Sequence, residues 1–354
     1  MNTPQPLDRY ALRGDIDAAT GLTAEGFEQR VEAAWHACKV DRKLLKQLMQ
    51  RSDAKGLRHF GLWLALLLAS GGAAAWAWGT WWCVPAFAVY GLLYASSDHY
   101  AHELSHGTPF KTRWLNEIFL YLCGFMTLHE VHYWRWSHTR HHTHTLIVGR
   151  DPEIGVPRPP NLVAIVSDLF FLQSGFKQMR NILSHAAGRI TPDGQHFIPL
   201  GERAKLIRAS RVFVAIWLLV ILACVATHSW LPALLVGLPR FYGGALALLL
   251  NLTQHAGMPE GVHDHRLNCR SFRAGPVISF LYANMNYHVE HHMFPMVPFH
   301  ALPQLHEAIR TQCPPAYASL WACWREILPA LLRQRRDAQF AVERPLPGTQ
   351  AVQA

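Results

Sequence analysis

The chain has 354 residues, of which 50% are hydrophobic and only 16% charged, and its mean hydropathy is slightly positive. A soluble protein of this length carries ~25% charged residues, so the composition excludes disorder over most of the chain and argues against a string of soluble domains. The net charge is +9, yet no basic face interleaved with base-stacking aromatics accompanies it. Nucleic-acid binding is therefore set aside, and the excess is read as membrane orientation and contact with anionic lipid.

Residues 1–20 are polar, with Arg9, Arg13, Asp15 and Asp17. They lack an apolar core, so no cleavable signal peptide is expected. Residues 22–50 are predicted helical, from Phe27, Val31, Trp35 and Cys38 at i, i+4, i+8 and i+11. Residues 60–97 form an uncharged run of 38. A transmembrane helix needs ~20 apolar residues, so the run predicts two spans, about 60–78 and 80–97. The turn falls where Gly79 stands among Trp76, Trp78, Trp81 and Trp82, an interfacial belt. Residues 118–128 are apolar but too short to span, and are expected to form a buried or re-entrant helix. Residues 162–190 read as an amphipathic stretch on the membrane surface, with Lys177 and Arg180 on its polar side. A second uncharged run begins at Val212 and predicts spans at about 212–228 and 232–252, turning near 228–231. Residues 301–336 read as two helices broken at Pro314 and Pro315, followed by a loose tail.

Of 33 Lys and Arg, ten precede residue 60, thirteen lie in 98–211 and nine follow residue 260. The hairpin tips hold none. By the positive-inside rule both hairpins start and end in the cytoplasm. The fold class predicted is an all-α, multi-pass integral membrane protein with four spans and a cytoplasmic helical cap. Its parts are an N-terminal segment (1–57), a membrane domain (58–300, with the cap in 98–211 and 253–300) and C-terminal helices (301–354). Both termini are expected in the cytoplasm, at the inner or plasma membrane if the source is bacterial. The seven cysteines include no CxxC pair and read as small apolar fillers, which excludes a disulfide-stapled scaffold.

Arg240 is the exception within the spans, where a charge costs about 2.5 kcal/mol or more. The preferred reading is that the tip extends to Pro239 and Arg240 snorkels to the far interface. In the alternative it faces the interior, pairs with a polar group and is a candidate substrate contact.

The 22 histidines are concentrated: nine fall in 99–144, where a uniform spread would put about three. His102 and His106 are i, i+4. His138, His141 and His142 are i, i+3, i+4, and His288, His291 and His292 repeat that pattern. On a helix such positions share a face and can converge on one ion. His255 is a further candidate, with Asn251 one turn before it. Nine imidazoles are too many for one zinc and suit two octahedral ions with positions left for water, dioxygen or substrate; two redox-active irons fit best. All nine lie on the same predicted side of the bilayer. Asp98, Asp151, Glu153 and Glu290 are candidate acceptors for the outer N–H groups of the ligands. His99, His129, His132, His144, His263 and His265 are read as supporting or structural, and His36, His59, His185 and His306 as surface or packing residues.

The segments HELSH (His102–His106), HTRHH (His138–His142), NLTQH (251–255) and HVEHH (288–292) resemble, in order, spacing and intervening hairpins, the membrane fatty acid desaturase superfamily. The resemblance covers roughly residues 58–300. It implies a mushroom-shaped helical fold, two irons held by the nine histidines, and Asn251 reaching an iron through water. The first box has three intervening residues where acyl-CoA desaturases have four, which argues against acyl-CoA and leaves free fatty acids and acyl-lipids.

The expected activity is oxygen-dependent oxidation of a fatty acyl chain, first of all desaturation. The alternatives are oxidative decarboxylation of free fatty acids to terminal alkenes, a branch of the same superfamily, and alkyl or lipid hydroxylation. With no cytochrome b5 signature and no ferredoxin cysteine pattern, electrons are expected from an external donor, a ferredoxin with its reductase or a cytochrome b5-type protein. A histidine-rich metal transporter or sensor is the non-enzymatic alternative. Transport calls for ionisable residues at the bilayer midplane, and the predicted spans hold no His, Asp or Glu cluster.

Overall fold

The computed structural model describes residues 10–12 and 34–347. Among these the architecture is helical, and β-structure is confined to two isolated bridges, Ser271 with Tyr287 and Phe272 with Tyr317. In chain order the helices are α1 (Arg42–Leu48), α2 (Asp53–Trp76), α3 (Cys83–Ala95), α4 (Ser97–Ser105), α5 (Arg113–Thr127) and α6 (Val131–Thr143). There follow α7 (Leu162–Ser167), α8 (Leu172–Ala186), α9 (Pro192–Phe197), α10 (Leu200–Thr227), α11 (Pro239–Gly243) and α12 (Ala245–His255). The last are α13 (His265–Asn268), α14 (Pro276–Leu281), α15 (His288–Met293), α16 (Leu302–Ile309) and α17 (Leu320–Gln334). The chain divides into two compact units. A long-helix unit comprises Ser52–Arg135 and Leu162–Leu249; a histidine unit comprises Met1–Arg51, Trp136–Asn161 and Leu250–Ala354.

In the long-helix unit, α2 starts where the Ser52 hydroxyl accepts from the Lys55 amide and Asp53 meets the positive helix end. It runs 24 residues, about 36 Å at 1.5 Å per residue. Beyond it the chain turns through Gly79 at φ +83°, a conformation that favours glycine. Trp76, Trp81 and Trp82 stand exposed at this tip, as an aromatic belt requires. Helix α10 runs 28 residues, about 42 Å, and leaves Leu218, Leu219, Ile221, Leu222 and Val225 more than half exposed. Among the described residues, α2 and α10 alone are long and apolar enough to cross a bilayer unaided.

The expected spans 80–97 and 232–252 are not unbroken helices. Helix α3 has 13 residues, about 20 Å, and yields to α4 at Ser96. There the hydroxyls of Ser96 and Ser97 donate to the carbonyls of Leu93 and Tyr94 (2.7 and 2.5 Å), competing with the helical ladder. The returning segment begins as a π-helical turn, Ala233–Gly237, before α11 and α12. Its displaced carbonyls are satisfied by tyrosine hydroxyls: Tyr242 donates to Leu234 (2.7 Å), Tyr90 to Leu235 (2.6 Å) and Tyr94 to Val236 (2.8 Å). Irregular backbone in an apolar setting survives only with such partners. Helices α3 and α11 meet backbone to backbone, because a Cβ on Gly243 would lie 2.0 Å from the Gly91 carbonyl. Helix α8 packs Ile182 against Phe213 of α10. Helix α5 is a 15-residue helix that buries Leu120 and Cys123 but leaves Trp114 and Ile118 more than half exposed, so the helix expected to be buried there is buried on one face only.

In the histidine unit, the helix predicted over 22–50 is reduced to α1; residues 22–33 lie outside the described residues, and 34–40 are non-helical. Tertiary contacts override the helical periodicity there. The His36 amide donates to the His263 carbonyl (3.0 Å), the Cys38 amide meets the Met293 sulfur (3.0 Å), and Trp35 stacks on His265 at 4.2 Å. Cys38 then joins a core with Leu48, Val289, Leu302, Leu305 and Cys313. The cysteines are free thiols, as fillers should be. The tail expected to be loose is tied down as far as it is described. Val342 is buried with Leu146, Met258 and Ala330, its amide donates to the Gly257 carbonyl (2.9 Å), and Arg344 donates to the Pro315 carbonyl (2.6 Å).

Candidate metal centre

Three segments of the histidine unit carry seven of the nine predicted ligands. The end of α6 presents His138, His141 and His142, the end of α12 presents His255, and α15 presents His288, His291 and His292. The i, i+3, i+4 spacing puts each trio on one helix face. The ligand atoms of His138, His142 and His291 lie within 4.8 Å of one another, as do those of His141, His255 and His292. The Nε2–Nε2 distances are 3.1 Å for His138–His142, 3.2 Å for His142–His291, 3.0 Å for His255–His288 and 3.0 Å for His288–His292. Two nitrogens bound at right angles about 2.1 Å from one ion would lie about 3.0 Å apart.

The outer nitrogens show which inner ones are bare. Nδ1 of His138 donates to Glu153 (2.9 Å), Nδ1 of His141 to Asp151 (2.9 Å), and Nδ1 of His255 to the Asn268 carbonyl (2.9 Å). The Thr145 hydroxyl donates to the His141 carbonyl (2.8 Å), so its oxygen accepts from Nδ1 of His292 (3.1 Å). A neutral imidazole has one N–H. With it directed outward, the Nε2 atoms of His138, His141, His255 and His292 present lone pairs inward. His288 Nε2 sits 3.0 Å from two of them with at most one hydrogen to offer. A cation resolves that crowding of lone pairs, and outward N–H groups on carboxylates and carbonyls are the usual second layer of a metal site. The residues fit a metal centre.

Electrostatics agree. Burial drives His255 and His292 well below the ordinary histidine value and His291 to about 3, so all three stay neutral, the form that binds metal. Burial opposes the charge of His141 too, but the Asp151 carboxylate outweighs it and the net shift is upward. Asp151 is the hub of this layer, accepting also from the amides of Leu146 and Glu153 (2.8 Å each). His265, Cys269 and His292 form a further close trio, in which burial keeps Cys269 a neutral thiol.

The other predicted residues fall as follows. Asn251 is half-buried on α12, one turn before His255. Glu290, expected to orient a ligand imidazole, instead accepts from Ser271 (2.5 Å) and His306, and so fastens α15 to its neighbours. His102 and His106 belong to the long-helix unit, on α4 and its C-cap, with ring centroids 5.7 Å apart. In the same unit Arg240 corrects the preferred sequence reading. It does not snorkel; it is 6% exposed and donates to Asp98 (3.0 Å) and the Ala95 carbonyl (3.3 Å), with Phe171 beneath its guanidinium at 4.7 Å. The last carbonyls of α3 and a carboxylate one turn on make an interior site in which a cation is favourable. Asp98 also lies 3.5 Å from Nδ1 of His129, which burial holds at about 4 and which stacks on Trp134 at 4.1 Å. Thr145 and Asn268 were not foreseen. Thr145 lies three residues past the second box, a usable signal, whereas Asn268 carries none.

A family model described as fatty acid desaturase matches residues 79–324. The chain is 22% identical over 260 residues to a Delta(8)-fatty-acid desaturase 2 of Arabidopsis thaliana, covering 63% of this chain and 56% of the relative. It is 23% identical over 242 residues to an acyl-lipid (9-3)-desaturase of Physcomitrium patens, covering 60% and 45%. The chain thus matches about half the length of these curated relatives.

Proposed function

The chain belongs to the fatty acid desaturase family, a family of oxidoreductases, and from that premise we propose that it desaturates a fatty acyl chain at a membrane, using dioxygen. The reading is carried by inward Nε2 atoms 3.0–3.2 Å apart, with those of His138, His141, His255 and His292 left bare because their outer Nδ1 atoms are held by Glu153, Asp151, the Asn268 carbonyl and Thr145. The set is assigned to two irons. His138, His142 and His291 serve one, and His141, His255, His288 and His292 the other. His102 and His106 complete the nine, and Asn251 acts through water. Irons held there would supply, with dioxygen and two electrons, the oxidising power to attack an unactivated C–H bond, which side-chain acid–base chemistry cannot do.

The protein's own part is positional. Asp151 and Glu153 hold the N–H of His141 and His138 outward, so the lone pairs stay aimed inward. Burial keeps His255, His291 and His292 unprotonated. The membrane reading assigns α2 and α10 as outgoing spans and the broken segments through α3 and through α11 and α12 as their returns, which makes four crossings with the metal centre on the cytoplasmic side. The relatives' printed names support a fatty acid or acyl-lipid substrate. The electrons are assigned to a donor protein such as a ferredoxin or cytochrome b5.

The test is to purify the protein with iron, supply ferredoxin, its reductase and oxygen, and offer labelled fatty acids and acyl-lipids. Mass spectrometry separates an unsaturated product from a hydroxylated one and from an olefin one carbon shorter. An unsaturated product with about two irons per chain is expected. No oxidised product from an iron-loaded protein would overturn the proposal.

A further inference from the structure

Helix α8 has two working faces. One packs into the unit through Met179 and Ile182. The other is open and carries Leu172, Phe176, Lys177, Arg180 and Leu183 at helical spacing, with Phe176 61% and Leu183 53% exposed. Just before it, Val163, Val166 and Phe170 are exposed as well. A soluble surface seldom gathers so many large apolar side chains in one stretch.

Among them lies an open groove of about 640 Å³ lined by Ser167, Leu172, Gln173, Phe176, Lys177 and Arg180. Lys177 and Arg180 have no carboxylate partner among the described residues. The groove therefore offers two uncompensated cations, an amide and a hydroxyl beside two apolar side chains. Its level is set by Arg211, the last charge on α10 before the uncharged run, which donates to the Ala186 carbonyl at the end of α8 (3.0 Å). The helix thus flanks the point where α10 turns from charged to apolar, the depth of lipid headgroups.

We propose that this groove binds one anionic phospholipid of the bilayer, its phosphate between Lys177 and Arg180 and its acyl chains along Leu172 and Phe176. Charge complementarity selects the occupant: an anionic phospholipid brings a net negative charge to the two cations, and a zwitterionic one brings none. Each cation near an anionic headgroup is worth about five-fold in binding, so the pair contributes roughly thirty-fold.

The test uses the full chain in detergent, titrated with phosphatidylglycerol or phosphatidylcholine and read by native mass spectrometry. One phosphatidylglycerol should bind roughly thirty-fold more tightly than phosphatidylcholine. Lys177→Gln/Arg180→Gln should remove that preference, and Phe176→Ser should weaken binding of both lipids. Lys39→Gln/Lys43→Gln, which removes two cations of the other unit, should change nothing. All five are exposed positions, so folding is not at stake. The site is refuted if the Lys177/Arg180 variant keeps the wild-type preference. It is equally refuted if free oleate displaces the phospholipid at equal concentration, which would assign the groove to a fatty acid.

Discussion

Asp151→Asn is an isosteric change with a sharp expected consequence. The carboxylate accepts from Nδ1 of His141 at 2.9 and 3.0 Å, from the Leu146 amide at Oδ2 and from the Glu153 amide at Oδ1. Every neighbour of both oxygens is a donor. An Asn side chain must turn its NH2 toward one of the two backbone amides in either orientation, losing that hydrogen bond and facing hydrogen against hydrogen. Hydrogen bonds to a charged group contribute about 1.5–3 kcal/mol each, so the metal-free protein should lose about that much stability. The negative charge behind His141 also disappears, which lowers the basicity of its Nε2, and outer-layer changes of this kind cost about 10–100-fold in metal affinity. The assay is iron content by mass spectrometry after graded exposure to a chelator, alongside thermal unfolding of the metal-free protein. Asp151→Asn should release iron at a chelator concentration lower by that factor and melt earlier. Wild-type iron retention with an unchanged melting curve would refute both the tautomer argument and the place of His141 among the ligands.

Arg240→Met should destabilise the protein by about 3–5 kcal/mol, because it strands the Asp98 carboxylate in the interior; adding Asp98→Asn should recover much of the loss in detergent-based thermal unfolding, and no recovery would mean that the pair is not coupled. Gly243→Ala should abolish the yield of folded protein, since the new Cβ would fall 2.0 Å from the backbone of Gly91; a well-folded variant at wild-type yield would show that α3 and α11 do not approach so closely. The metal-free protein should lose stability as pH falls from about 6.5 towards 3. In that window His255, His291 and His292 take up protons in the unfolded chain but not in the folded one. His141 and His306, raised by Asp151 and Glu290, work the other way, but His129, His132, His144 and His265 join the depressed group, and a denaturation midpoint that rises on acidification would contradict the balance.

The boxes were readable because their information is local. The spacings of His138, His141 and His142 and of His288, His291 and His292 fix a shared helix face whatever the rest of the chain does, and the helices are where that spacing required them. The uncharged runs were readable for the same reason, and both tips fall as expected, at Gly79 and near His228. The breaks within the returning segments were not readable. The turn at Ala233–Gly237 is tolerable in an apolar run only because its carbonyls receive hydroxyls from Tyr242, eight positions on, and from Tyr90 and Tyr94, 145 and 142 positions from their acceptors.

Arg240 illustrates the division most sharply. Its cost inside an apolar segment follows from composition, and composition alone favours snorkelling. The outcome turns on Asp98, 142 positions away, and a partner so remote leaves no trace in local hydropathy. The N-terminal stretch makes the same point in reverse: Trp35 and Cys38 sit at helical intervals, yet stacking on His265 and packing beside Cys313 hold the chain out of a helix. Residue type and spacing along the chain thus determined the chemistry, a histidine-rich metal centre carried by apolar helices. Which carboxylate, carbonyl or hydroxyl stands behind each imidazole was decided only by folding, because those pairings are set by distance in space.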